Sequence, residues 1–172
     1  MKKRLLLVGL MSVLLLTGCT HKPKTAEEFK KIANENGIEV YQNTVGLAYA
    51  KEAYQTNHED YNVFFVVGKK AKDLQGVYLD EVVNIQGLAG VKPDTEKTTT
   101  NKNGEISLDI TTKSNEPEIK PISKTGKNWS HVEIQGKDEY FYVSYIDDTM
   151  LYVRCKNEYK DTFKKIIDAM KY

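Results

Sequence analysis

Three runs decide the fold: Trp129–Gln135 (WSHVEIQ), Tyr140–Ile146 (YFYVSYI) and Met150–Cys155 (MLYVRC). All are rich in β-branched and aromatic residues, which fit a pleated, half-buried surface. Gly136-Lys137-Asp138 and Asp147-Asp148 separate them, and both are turn signals. A three-stranded antiparallel meander is therefore predicted. Behind it, Tyr159, Phe163, Ile166, Ile167 and Met170 recur at i, i+4, i+7, i+8 and i+11, one stripe of a helix. Such a stripe cannot be buried alone, so it must lie on the sheet.

Working towards the N-terminus, Tyr61–Val67 is a nearly unbroken β-rich run, and its core Val63-Phe64-Phe65-Val66-Val67 predicts a strand covered on both faces. Between it and the meander, Ala71, Leu74, Tyr78, Val82 and Ile85 mark a helical face within residues 69–88, although Gly76 and the valines weaken it. Thr25-Ala26-Glu27-Glu28 is a capping box opening a helix over roughly 25–36, with Gly37 as its stop. Alternation at Ile38–Tyr41 and at Val45, Leu47 and Tyr49 reads as strand. Residues 92–128 are polar and contain Ile106, Leu108, Ile110, Ile119 and Ile122 as their large apolar residues. One peripheral strand near 105–112 and otherwise a solvated excursion are expected there. The fold class is α+β, mainly antiparallel, packed by amphipathic helices.

The first nineteen residues carry an address. Met1-Lys2-Lys3-Arg4 is basic, and Leu5–Leu16 is an uncharged stretch of twelve residues, too short for the ~20 needed to cross a bilayer. It ends in Leu16-Thr17-Gly18-Cys19, which resembles the lipobox of bacterial lipoproteins. The polar, Lys-rich remainder is similar to the small lipoproteins of Gram-positive bacteria. The resemblance implies a cleaved signal peptide over 1–18 and a diacylglyceryl thioether, with palmitate-class acyl chains, on Cys19. It further implies a membrane-anchored chain on the outer face of the cytoplasmic membrane. Residues 19–24 then read as lipidated N-terminus and tether, His21 having no partner in view, and 25–172 as a single domain.

Charge and composition narrow the remaining classes. Loss of the signal leaves 22 basic against 24 acidic residues, so a nucleic-acid footprint is not expected. With Cys19 consumed, Cys155 is the other cysteine, which excludes an intrachain disulfide and reads as a small core residue. His58 in Asn57-His58-Glu59-Asp60 lacks a second ligand nearby and reads as a turn residue, and no metal or cofactor is expected. No nucleophile elbow, phosphate loop or H-E-x-x-H motif occurs. Asp147-Asp148 is explained by its turn, and His131 and Cys155 are expected on opposite faces. An enzyme is thus disfavoured, an unfamiliar hydrolase being the third reading.

With tight hairpins, the meander rows would be His131–Val143–Tyr152, Glu133–Phe141–Arg154 and Trp129–Tyr145–Met150 on one face. Trp129, His131, Glu133, Phe141, Tyr145, Tyr152 and Arg154 would then form an aromatic recognition patch, while Ser130, Val132, Ile134, Tyr140, Tyr142, Ser144, Leu151, Val153 and Cys155 lie on the opposite face, under the helices. The expected function is an anchored binding or adaptor domain for a peptide, an envelope protein or a small molecule. The alternative is an accessory subunit of an envelope complex without a ligand of its own.

Overall fold

The computed structural model describes residues 21–91, 119 and 121–172, together with the backbone of 93–100 and 106–112. Residues 1–20, where the signal peptide and lipidated Cys19 are expected, lie outside the described residues. The chain is α+β: among the described residues, three α-helices pack on a seven-stranded antiparallel sheet. In chain order the elements are α1 (Ala26–Glu35), β1 (Tyr41–Gln42), β2 (Ala50–Gln55), β3 (Tyr61–Gly68), α2 (Ala71–Leu88), β4 (Pro93–Thr100) and β5 (Ile106–Thr112). There follow β6 (Ile122–Thr125), β7 (Trp129–Gln135), β8 (Glu139–Ile146), β9 (Thr149–Lys156), a 3₁₀ turn at Asn157–Tyr159 and α3 (Lys160–Met170). The main sheet runs β1-β2-β3-β9-β8-β7-β6, and β4–β5 is a separate hairpin.

Local chemistry explains the element boundaries. Thr25 accepts a hydrogen bond from the Glu28 amide at 3.2 Å while Glu28 accepts from the Thr25 amide at 2.9 Å, completing the capping box. Gly37 leaves α1 at φ +76°, a conformation that costs a side-chain-bearing residue. Ile38 and Val40 are buried as expected, but only Tyr41–Gln42 pair as strand, and the strand expected from Val45 begins at Ala50.

The excursion at 92–128 holds more structure than its composition suggests. Its expected strand is β5, and β4 pairs along it. β6 joins the main sheet beside β7 with all four residues exposed, so no apolar periodicity announces it. The rest of the segment, apart from Ile119, Pro121 and the turn at 126–128, lies outside the described residues.

Both faces of the sheet are covered. On one, Val63, Phe65, Tyr140, Tyr142, Leu151, Val153 and Cys155 pack with Phe29 of α1 and Phe163, Ile166 and Met170 of α3. On the other, Val66, Val132, Ile134, Phe141, Val143, Tyr145, Met150 and Tyr152 pack with Leu74, Tyr78, Val82 and Ile85 of α2. The stripe foreseen for α2 is thus the one that is buried. Every residue of β8 after Glu139 is buried, as a strand between two helical layers requires.

The β8–β9 register is the expected one, with Phe141 opposite Arg154, Val143 opposite Tyr152 and Tyr145 opposite Met150. The β7–β8 register is shifted by one residue: His131 faces Ser144 and Glu133 faces Tyr142. The last β7–β8 pair is Gln135 with Tyr140, so four residues, Gly136–Glu139, turn between the paired positions, closed by Gly136 N–H donating to Glu139 O at 2.9 Å. A Cβ at Gly136 would sit 2.9 Å from that same oxygen. Asn157 fixes the loop from outside: its amide donates to Asp138 O and its side chain to Lys137 O. A one-residue slip exchanges faces, so Trp129, His131 and Glu133 lie opposite Phe141, Tyr145, Tyr152 and Arg154, and the single recognition patch is overturned.

Phe65 is fully buried and stacks on Phe29 with ring centroids 4.6 Å apart. Phe65→Ala is expected to cost about 3–5 kcal/mol, and Thr25→Ala about 1 kcal/mol through the lost cap. Urea unfolding should show both as lower midpoints at unchanged slope; a Phe65→Ala loss no larger than that of Thr25→Ala would contradict this packing.

Candidate functional site

Four of the seven patch residues lie on the α2 side and are absorbed there. Phe141, Tyr145 and Tyr152 are at most 7% exposed, with Tyr145 edge-on to Tyr78 at 4.9 Å. Arg154 makes a two-pronged pair with Glu139, Nε to Oε1 and Nη2 to Oε2 both at 3.0 Å, instead of flanking Glu133. Those groups are satisfied within the fold.

The other three are brought together on the face under α3. Trp129, His131 and Tyr142 form an aromatic row, with centroids 5.7 Å apart from tryptophan to histidine and 5.5 Å from histidine to Tyr142. Glu133 is held by Lys164 of α3 at 3.2 Å. A cavity of about 400 Å³ opens here between β6 and α3. Its floor is His131, Glu133, Tyr140 and Tyr142 from β7 and β8, and its walls include Lys124 of β6 and Asp168 of α3. The size falls at the lower end of the ~300–1,000 Å³ usual for small-molecule sites.

What distinguishes this cavity is its polar inventory. Tyr140 Oη, Tyr142 Oη, His131 Nδ1 and, behind them, Ser144 Oγ are buried without a hydrogen-bond partner of normal geometry. Such groups each carry a desolvation cost of about 1–3 kcal/mol, and a folded chain tolerates several side by side where something else uses them. Concavities beside the 42–53 loop (460 Å³) and around Arg154 (590 Å³) contain none of these atoms in their linings.

Electrostatics set the protonation states. Burial pushes the Tyr140 and Tyr142 phenols far above the ordinary tyrosine range, so both stay O–H and can donate as well as accept. Around Tyr140 the Glu133 carboxylate adds to the rise, whereas the Ser144 hydroxyl opposes it at Tyr142. Burial lowers the His131 pKa, Lys124 lowers it further and Glu133 works against both, so the imidazole is neutral near pH 7.

Cys155 is on this face too, not on the face away from His131. It lies two strands over and in the row of Tyr140, wholly buried, with its thiol pushed up to about 12 by burial. That is the setting of a core residue and not of a nucleophile. His58 stacks on Tyr61 at 4.0 Å and its Nδ1 accepts the Asp60 amide, a turn arrangement. Among the described residues, no three His, Cys, Asp or Glu side chains gather in a way that could hold a metal ion, and no helix is long and apolar enough to cross a membrane.

Sequence reasoning found His131 and Glu133 but missed Tyr140, Tyr142, Ser144 and Lys164. The available signal was Tyr140-x-Tyr142-x-Ser144, three hydroxyls on one face of a strand predicted to be covered. Compared with known proteins, the chain matches no family model, no curated protein and no solved structure. The class is therefore defined by its own geometry: a helix-covered antiparallel sheet with a polar cavity at one edge.

The lowered His131 pKa gives a pH dependence. Below the ordinary histidine value of 6.5, the unfolded chain binds a proton that the folded chain resists. The stability contributed is present above that value and lost as pH falls towards the folded pKa. Melting temperature should fall between pH 7 and pH 5, and less steeply in His131→Gln. Equal slopes would place the titrating group elsewhere.

Proposed function

We propose that this chain is a lipid-anchored, extracytoplasmic binding domain that holds a small polar molecule in the cavity between β6 and α3, without turning it over. The observation that carries the reading is the cluster of buried hydroxyls, Tyr140, Tyr142 and Ser144, none with a hydrogen-bond partner of normal geometry, beside neutral His131. Two tyrosine hydroxyls each offer a donor and an acceptor, while Glu133–Lys164 supplies a fixed ion pair at the wall. A ligand with alternating donors and acceptors suits that set better than a simple anion, because Glu133 and Asp168 face the same space as Lys124 and Lys164. The lipobox at Leu16-Thr17-Gly18-Cys19 supports the anchor and the location outside the cytoplasmic membrane.

A second reading, an adaptor for an extended polypeptide, is favoured by β6. This strand ends the sheet, pairs among the described residues only with β7, and leaves Ile122 51% exposed. An unpaired edge is a template for an added strand.

Thermal-shift measurements against polar metabolites and cell-wall-derived fragments test the first reading. A true ligand at 100 times its Kd adds about 2.7 kcal/mol to stability. In Tyr142→Phe the unliganded melting temperature should hold or rise, because an orphaned hydroxyl is removed, while the ligand-induced shift should vanish. A fall in melting temperature with the shift retained would show that the hydroxyl serves the fold and not the ligand.

A further inference from the structure

His21, the described residue nearest to the proposed anchor, is docked on the domain and not loose. His21 N–H donates to Asn128 Oδ1 at 3.3 Å, and Asn128 Nδ2 donates back to His21 O at 2.8 Å. The His21 imidazole lies 2.8 Å from Lys171 O, so Nδ1 carries the proton and donates to the carbonyl at the end of α3. Its ring packs on Trp129 at 4.7 Å. Asn128 is itself braced, donating to Asp147 Oδ2 at 2.8 Å and accepting the Asp147 amide on its carbonyl at 2.8 Å. These contacts span 107 and 150 residues of chain and fasten the start of the domain to the β6–β7 turn and the end of α3.

We infer that the domain is held against the bilayer in one orientation, with the Trp129 end down and the anionic phospholipid headgroups of the anchoring leaflet as its partner. The inference rests on the lipid anchor proposed above and adds to it a docked surface. Covalent geometry allows at most about 7 Å from Cys19 to His21, two steps of 3.8 Å or less. A lipidated Cys19 therefore brings the surface around His21 to the headgroups. That surface presents Lys22, Lys127 and Lys171, all exposed and without a carboxylate partner in the described structure. Of the nearby acids, Asp147 is engaged with Asn128, Asp148 with Lys51 at 3.7 Å and Glu28 with Lys24 at 3.0 Å, which leaves exposed Asp168, one turn before Lys171, against the three lysines. Basic residues close to a lipidated terminus are what an anionic leaflet attracts, and tryptophan suits the interface. The Trp129–His131–Tyr142 row then runs from the membrane side into the cavity, so the ligand site opens beside the bilayer and not away from it.

Trp129 is the single tryptophan of the chain and reports the geometry directly. Full-length protein isolated from membranes would be reconstituted into phosphatidylcholine vesicles with and without phosphatidylglycerol, carrying a headgroup nitroxide lipid as quencher. Wild type should be quenched at least twofold more than a variant with a ten-residue Gly-Ser insertion between Thr20 and His21, which leaves the docking intact but lengthens the reach. The excess should grow with phosphatidylglycerol and fall in His21→Ala/Asn128→Ala. Equal, weak quenching in wild type and insertion variant overturns the fixed orientation. The intact mass of the same preparation separates the two proposals: Cys19 without diacylglycerol overturns anchor and orientation together, whereas lipidated but unquenched protein overturns the orientation alone.

Discussion

The pairing of β3 with β9 holds the molecule together. Seven consecutive pairs, from Tyr61 opposite Cys155 to Val67 opposite Thr149, join the N-terminal β1–β3 unit to the C-terminal meander. Its register places Val63, Phe65, Leu151 and Val153 under α1 and α3, and Val66, Met150 and Tyr152 under α2. A shift of one residue would exchange the two sets and leave both helical layers on the wrong side chains. The contact is also long-range in sequence, so its loop-closure cost is offset only by burial on both faces at once.

The same double burial makes the cavity conspicuous. A strand covered on both sides is expected to be apolar throughout, yet β8 carries Tyr140, Tyr142 and Ser144 on the α3 face with hydroxyls that find no partner of normal geometry. Phenylalanine and alanine would fill those positions at lower desolvation cost. That local cost is the observation on which the proposed binding role rests. On the α2 face the Tyr78 hydroxyl meets Ser130 at 2.9 Å, and the buried Gln86 Nε2 is the polar atom left without a partner there, alone and not in a cluster.

How much of this was legible follows from the range of the interactions. Capping at Thr25-Glu28, the Leu74/Tyr78/Val82/Ile85 stripe, the meander strands and the C-terminal helix are encoded within a few residues each, and all were readable. The β7–β8 register was not, because the four-residue loop at 136–139 is held by Asn157 from twenty residues away. That single hidden constraint moved Trp129, His131 and Glu133 to the other face and replaced an exposed patch with an open cavity between β6 and α3. β6 was missed because an exposed edge strand shows no apolar alternation. His21 was read as tether for the same reason as the loop: its partners, Asn128 and Lys171, are distant in sequence.

Native mass spectrometry of residues 20–172, purified gently from the producing cell and weighed again after denaturation, tests the binding account most directly. The account expects an excess mass that disappears on unfolding and is missing from Tyr142→Phe prepared in the same way. A wild-type domain that carries no excess mass and matches the variant under both conditions would contradict it, and would leave the buried hydroxyls of β8 without a use.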